Sequence, residues 1–155
     1  GTLPLDKFFK QTYKKSNANK EIVGFTNGCF DILHTGHTFY LEEAKKLGDI
    51  LIVAINSDNS IKKLKGDNRP INDLTERTLL ISSLKSVDWV IPFDELTPEY
   101  IIKEINPDVL VKGGDYELSQ IVGSDHVLKN GGEVKTITFK EGFSSSKIIN
   151  KIKKI

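Results

Sequence analysis

The chain of 155 residues contains no methionine and a single cysteine, Cys29. One thiol cannot close an intrachain disulfide, and no apolar signal segment opens the chain, so a reducing cytoplasm is the expected compartment. The missing methionine leads us to expect a processing scar at Gly1, or a piece of a longer protein. No apolar run approaches the roughly 18 residues that cross a bilayer, which excludes a membrane partner at this level. Neither sign of charge is in excess: 22 basic against 21 acidic residues leave a net charge of +1, which gives no argument for a nucleic acid partner. Any phosphate binding must therefore be local. The length suits one domain with a real core and is too short for two ordinary ones.

What is present is an alternation of short apolar runs and helical stripes. Residues 1–20 read as a leading helix, with Leu5, Phe8 and Phe9 on one stripe, followed by a polar loop. Residues 21–155 read as the main domain. Ile22 to Thr26 and Ile50 to Ile55 look like buried strands, each stopping at polar turn residues. Between them Tyr40, Leu41, Ala44 and Leu47 form a helical stripe, and Gly48 stands where a left-handed C-terminal residue is wanted. A strand, helix, strand unit forces a parallel pair with a right-handed crossover. The alternation continues with a helix capped by Asp73 and carrying Leu80, Ile81 and Leu84 on its inner face. A strand at Trp89 to Ile91 and a helix opened by Thr97-Pro98 and ended by Pro107 follow. Then come a strand at Val109 to Val111, a helix around Ser119 to Lys129, a strand at Val134 to Thr138, and a closing helix begun by Ser144. The pattern predicts one doubly wound, Rossmann-like α/β domain with about five parallel strands and helices on both faces. In such sheets ligands bind beyond the carboxyl ends of the strands. The polar, glycine-bearing loops at that edge are Asn27 to His37, Asn56 to Arg69 and Lys112 to Tyr116.

The strongest signal is Gly28-Cys29-Phe30-Asp31-Ile32-Leu33-His34-Thr35-Gly36-His37, running from the first strand into the first helix. Its last residues fall at a helix N-terminus, where free N–H groups and the dipole favour an anion. Gly36 lets phosphates approach the backbone, and the imidazoles of His34 and His37 can donate hydrogen bonds to phosphate oxygens. A structural zinc site is disfavoured, since zinc wants three or four ligands and the third histidine, His126, is far away in sequence. The second segment, Asn56-Ser57-Asp58 with Lys62, Lys63, Lys65 and Arg69, reads either as a solvated basic loop or as a lysine loop that closes over phosphates. In Lys112-Gly113-Gly114-Asp115-Tyr116 the glycines offer bare backbone and Asp115 can accept hydrogen bonds from sugar hydroxyls. Gly142-Phe143-Ser144-Ser145-Ser146 places three hydroxyls at the start of the last helix, a second anion cradle. Asn56, Asp58, Gly113 and Asp115 are the candidate acceptor contacts.

These residues resemble a family. His34-Thr35-Gly36-His37 after a strand resembles the HxGH signature of the cytidylyltransferase-like nucleotidyltransferases. From Ile22 to Ile155 the chain is similar to the adenylyltransferase part of bacterial bifunctional heptose kinase/adenylyltransferases, most clearly at Thr26 to Asp31, Lys65 to Asn72 and Val111 to Tyr116. The resemblance implies transfer of AMP from ATP to D-glycero-β-D-manno-heptose 1-phosphate, giving ADP-heptose and pyrophosphate for the lipopolysaccharide core. It implies that His34 and His37 contact the triphosphate and that the backbone at Cys29 and Phe30 lies against the nucleotide. Lys62 or Lys65 would fill the phosphate-binding lysine position, and Arg77 the place of an arginine near the site. Ser144, Ser145 and Ser146 stand where the family has Ser-Thr-Thr. Magnesium, held mainly by substrate phosphates, a homodimer and a fused sugar kinase domain are implied in the same way. Two alternatives stay open: a cytidylyltransferase acting on glycerol 3-phosphate or a related alcohol phosphate, and a non-catalytic nucleotide-binding regulator on the same fold.

Overall fold

Successive side chains of a strand point to opposite sides, so a strand that is apolar throughout needs cover on both faces. β2 (Ile50–Asn56) is such a strand. Its Leu51, Val53 and Ile55 join one core cluster, and its Ile52 and Ala54 join the other. In the computed structural model, which describes residues 21–114, 116–138 and 145–155, β2 lies next to β1 (Val23–Gly28) in a sheet completed by β3 (Trp89–Phe93), β4 (Val109–Gly113) and β5 (Glu133–Ile137). All neighbours are parallel, in the order β3-β2-β1-β4-β5. One face is covered by α1 (Thr35–Lys45) and α3 (Leu74–Ser82), which bring Tyr40, Leu41, Ala44 and Ile81 into its cluster. The other is covered by α4 (Glu99–Ile105) and α5 (Ser124–Lys129), which bring Ile101, Ile102, Ile105 and Val127. α2 (Asp58–Lys65) and α6 (Ser145–Lys153) complete the elements that matter for the site, with a 3-10 turn at Leu118–Gln120. The doubly wound arrangement expected from the alternation is the one observed.

Four local expectations need correction. The segment after β2, read as a loop, contains α2: Ser57 caps it by accepting from the Ser60 backbone N–H, and Gly66 ends it at φ 99°. Its inner side consists of Ser60 and Ile61 alone, too few residues to give a legible stripe. Gly48 is needed for space and not for a left-handed turn, because a Cβ there would lie 2.9 Å from the Ile22 carbonyl oxygen. On α3 the inner face belongs to Arg77 and Ile81, while Leu80 is exposed. The helix expected over Ser119 to Lys129 is divided by Gly123 at φ 85°, leaving only the 3-10 turn and α5. Smaller shifts occur at α4, whose first residue is Glu99 with Pro98 at the cap position, and at strand ends. The leading helix of residues 1–20 lies outside the described residues.

The chain runs outward from β1 to β2 and β3, then crosses back to β4 and β5, so the order reverses between β1 and β4. There the ladder is short: β1 and β4 pair at Gly24–Val109 and Phe25–Leu110, whereas β1 and β2 stay paired to Gly28–Ile55. Beyond Phe25 the Tyr40 hydroxyl takes over, donating to the Val111 carbonyl at 3.1 Å and lying 2.6 Å from the Thr26 hydroxyl. Since the carbonyl can only accept, Thr26 donates to Tyr40. Burial holds the Tyr40 phenol above its usual pKa, partly offset by the Thr26 contact. The hydroxyl thus ties the two strands at the floor of a crevice at the switch point, where the fold favours ligands.

Candidate active site

The crevice is a cavity of about 240 Å³, lined by Asn27 to Asp31, His37, Tyr40, Lys65, Lys112, Gly113 and Tyr116. It gathers residues from β1, α1, α2 and β4, all but Tyr40 from the loops that the sequence pattern marked.

The β1–α1 turn sets the imidazoles. Phe30 adopts φ 49°, a left-handed conformation that is unusual for a bulky residue and needs support from its surroundings. Its ring packs edge-on against His37, with centroids 5.2 Å apart. It also explains Gly28, where a Cβ would lie 2.9 Å from that ring. His34 caps α1 through its carbonyl, which accepts from the N–H groups of His37 at 3.0 Å and Thr38 at 3.2 Å. The two imidazoles stack with centroids 3.8 Å apart and an angle of 20°. His37 Nδ1 accepts from the His34 backbone N–H at 3.3 Å, so the proton of the neutral ring sits on Nε2. Burial, then the neighbouring His34 and Lys65 charges, depress the His37 pKa to about 4. Burial lowers that of His34 as well. The pair is therefore neutral near pH 7, and His37 can donate to an anion through Nε2–H. Gly36 is buried in the first turn of α1.

Two buried charges brace this turn. Asp31, 1% exposed, accepts from Arg69 Nε at 2.6 Å and from the backbone N–H groups of Ile71 and Asn72 at 2.9 Å each, while its carbonyl accepts from the Asn72 amide. Burial acts to raise its pKa, but these donors outweigh it and hold the carboxyl below the usual range. Arg77, fully buried, donates to the carbonyls of Cys29, Asn56 and Asn72 and to the Asp58 carboxylate at 2.7 to 2.9 Å. It joins the loops after β1 and β2 to the start of α3. The resemblance put Arg77 near the site; the structure shows it as a buried brace that touches the backbone of Cys29. Asn56, a candidate acceptor contact, is 4% exposed and its amide donates to Ser60 at 3.0 Å. Asp58 is paired with Arg77.

Of the two candidate lysines, both exposed, Lys65 lines the cavity and lies near enough to His37 and Cys29 to influence both, whereas Lys62 does not line it. Burial raises the Cys29 thiol above its usual pKa despite Lys65 and Arg77, which keeps it protonated and unsuited to act as a nucleophile. Lys65 also borders a second hollow of about 370 Å³, shared with Arg69, Ser146 and Lys153. His37 and the last helix therefore border two depressions that share Lys65, not one undivided pocket. Gly142 and Ser144 lie outside the described residues, as does Asp115, and of Ser145 only its place at the start of α6 is described. Gly113 ends β4 and is buried. Among the described residues no group of three or more His, Cys, Asp or Glu is placed to hold a metal ion, and no helix is long and apolar enough to cross a membrane. His126 stands apart from the site, 3.1 Å from the Asn106 side chain.

Asn27, Asp31, Tyr40, Lys112 and Tyr116 were assigned no role from sequence. Lys112, Tyr116 and Asp31 all sit within the singled-out segments, so a signal existed. The partners of Asp31, 38 to 41 residues away along the chain, left none.

A family model described as Cytidylyltransferase-like matches residues 25–151. The bifunctional protein HldE of Histophilus somni (strain 129Pt) is 55% identical over 146 residues, which is 94% of this chain and 31% of that protein. HldE of Coxiella burnetii (strain RSA 493 / Nine Mile phase I) is 55% identical over 137 residues, 88% of this chain and 29% of that protein. The chain thus spans only 29% to 31% of the length of these relatives. A crystal structure of the lipopolysaccharide core biosynthesis protein from Thermoplasma volcanium GSS1 is 33% identical, with a TM-score of 0.62, covering 77% of this chain and 97% of that one. Pantothenate synthetase from Thermus thermophilus, at 18% identity, has a TM-score of 0.57 over 88% of this chain and 61% of that one, a likeness of fold alone.

Proposed function

From the cytidylyltransferase-like family, to which this chain belongs, we propose that it transfers AMP from ATP to D-glycero-β-D-manno-heptose 1-phosphate, forming ADP-heptose and releasing pyrophosphate. An oxygen of the acceptor phosphate attacks the α-phosphorus, and the bond from that phosphorus to the oxygen bridging to the β-phosphate breaks. The electron pair leaves with pyrophosphate. The acceptor is already an anion, so no general base is needed, and the task is alignment and charge stabilisation.

The observation that carries this reading is the stacked, neutral pair His34 and His37 at the head of α1, of which His37 lines the switch-point cavity together with Lys65. The Nε2–H of His37 and the Lys65 ammonium supply donors for phosphate oxygens, and Asp31 and Arg77 hold the turn that carries the histidines. Ser144, Ser145 and Ser146 are assigned to the distal phosphates. Magnesium bound to the triphosphate would neutralise part of its charge. The only carboxylate lining the cavity among the described residues is Asp31, already satisfied by Arg69 and two N–H groups, which fits an ion carried mainly by the substrate. A sugar kinase domain elsewhere in a longer protein, a homodimer and a cytoplasmic location belong to the same proposal.

Pyrophosphate release measured with ATP and with CTP, each against heptose 1-phosphate and glycerol 3-phosphate, tests it. Release that requires ATP and heptose 1-phosphate is expected. Preference for CTP and glycerol 3-phosphate would replace the substrate assignment, and nucleotide binding with no release from any pair would replace catalysis by a binding role.

A further inference from the structure

The two strands at the switch point are held on their outer edges and part on their inner ones. β1 stays paired with β2 to Gly28–Ile55, and β4 with β5 to Gly113–Ile137, while the ladder between β1 and β4 stops at Phe25–Leu110. Asn27 and Gly28 on one strand, and Lys112 and Gly113 on the other, border the cavity. The split begins at the Tyr40 hydroxyl, which accepts from Thr26 and donates to the Val111 carbonyl, just beyond the last ladder pair on each strand.

Tyr40 follows His37 on α1 at the spacing that makes helical residues neighbours, and both line the cavity. Apolar contacts carry no direction, so Leu41 and Ala44 hold α1 against the sheet without fixing where along its axis it rests. Hydrogen bonds do carry direction, and the phenol makes two of them, to different strands. We infer that Tyr40 is a positioning residue for His37: its hydroxyl, held between Thr26 and Val111, sets the first turn of α1 against both strands and so aims the His37 Nε2–H at the reacting phosphates. This inference rests on the transfer reaction proposed above and adds a residue that acts on it through the histidine.

Core filling alone does not account for this residue. Tyr40 is 3% exposed in an apolar cluster with Leu41, Ala44, Val53 and Val111, where a phenylalanine would bring the same ring with no polar atom to satisfy. The hydroxyl is kept at the cost of a matched partner: Thr26, in the middle of β1, is fully buried and gives its own proton to the phenol. Nor is Tyr40 suited to be an acid or a base, because burial moves its pKa further above neutrality. At the far end of α1 a second tie, from Lys45 to Asp88 and to the Asp49 carbonyl, is partly exposed and remote from His37. The buried tie is the one placed at the catalytic end of the helix, where a small displacement of a donor has the largest effect on alignment.

The test uses Tyr40→Phe, which keeps the ring, and Thr26→Val, which keeps a branched strand former and removes the donor, each alone and combined with His37→Ala. Pyrophosphate release gives kcat and the ATP KM, and nuclear magnetic resonance titration gives the pKa of the His37 ring in the unliganded protein. Tyr40→Phe is expected to lower kcat about tenfold and Thr26→Val about threefold, with the ATP KM within about twofold of the parent. In the His37→Ala background neither should cost more than about twofold, because the group through which they act is gone. The His37 pKa, about 4 in the parent, should rise by about half a unit or more in Tyr40→Phe as the ring loses its fixed burial. Should Tyr40→Phe fail to fold, Thr26→Val carries the same readouts. Equal losses of turnover with and without His37, or a His37 ring that titrates as in the parent, would overturn the inference and leave Tyr40 a structural residue. Absence of pyrophosphate release from the parent would refute the transfer reaction, and the His37 titration would then decide the positioning role by itself.

Discussion

The two ends of the crevice are built differently. Around the β1–α1 turn, Asp31 and Arg77 are buried and together accept or donate eight hydrogen bonds to groups spread from Cys29 to Asn72. Around Lys112 and Tyr116 the described side chains are joined by a single ring contact at 5.9 Å. The first end has its geometry set by the protein before any ligand arrives, which is what charge stabilisation in a transition state requires. The second leaves its donors for whatever enters. Rigidity is concentrated where two small rings must keep their places.

Breaking the braced end should have the largest effect. Arg77→Met strands the carbonyls of Cys29, Asn56 and Asn72 and is expected to cost about 3–5 kcal/mol of stability, read from the urea midpoint. A loss below about 1 kcal/mol would mean that the loops hold one another without it. Next in size, His37→Ala is expected to lower turnover by about 10²-fold or more while the far-UV spectrum and melting behaviour stay close to the parent, by analogy with donors that stabilise developing charge. Near-normal turnover in a folded variant would remove the histidine from the mechanism.

Comparison of the lysines sharpens the picture further. Lys65→Ala should raise the ATP KM or lower turnover about tenfold, whereas Lys62→Ala on the exposed side of α2 should change neither by more than about twofold. Equal effects would show that the cavity boundary does not distinguish them. The smallest effect concerns pH. The folded His37 titrates at about 4 and the unfolded imidazole at the ordinary 6.5. Between those values the unfolded chain takes up a proton that the folded one refuses, so stability should fall as pH drops through that window and be indifferent to this group above it. His37→Gln should flatten that part of the stability profile, and an unchanged slope would assign it to other groups.

Much of this architecture was legible in the sequence. The five strands, the α1 stripe of Tyr40, Leu41 and Ala44, and the Asp73 cap followed from local apolar spacing and short-range chemistry, which act within a few residues. The HxGH turn was legible for the same reason. What escaped depends on distance along the chain. Arg77 occupies an inner position where spacing suggested Leu80, because its partners come from three other segments. Gly48 was chosen by the approach of Ile22, 26 residues earlier, and not by its own φ. α2 was missed because its buried side is so short that its lysines dominate the pattern. The division of the crevice into a cavity and flanking hollows brings together residues far apart in the chain, and no local signal encodes it.

The account stands or falls on whether the stacked imidazoles meet the triphosphate. Nuclear magnetic resonance titration of the His37 ring, without and with magnesium–ATP, measures this directly. The ring should titrate near pH 4 alone and about one unit or more higher with nucleotide bound, because a phosphate anion beside Nε2 favours the charged form. The same pKa in both states, at a nucleotide concentration that saturates the protein, would contradict the proposed role of the pair.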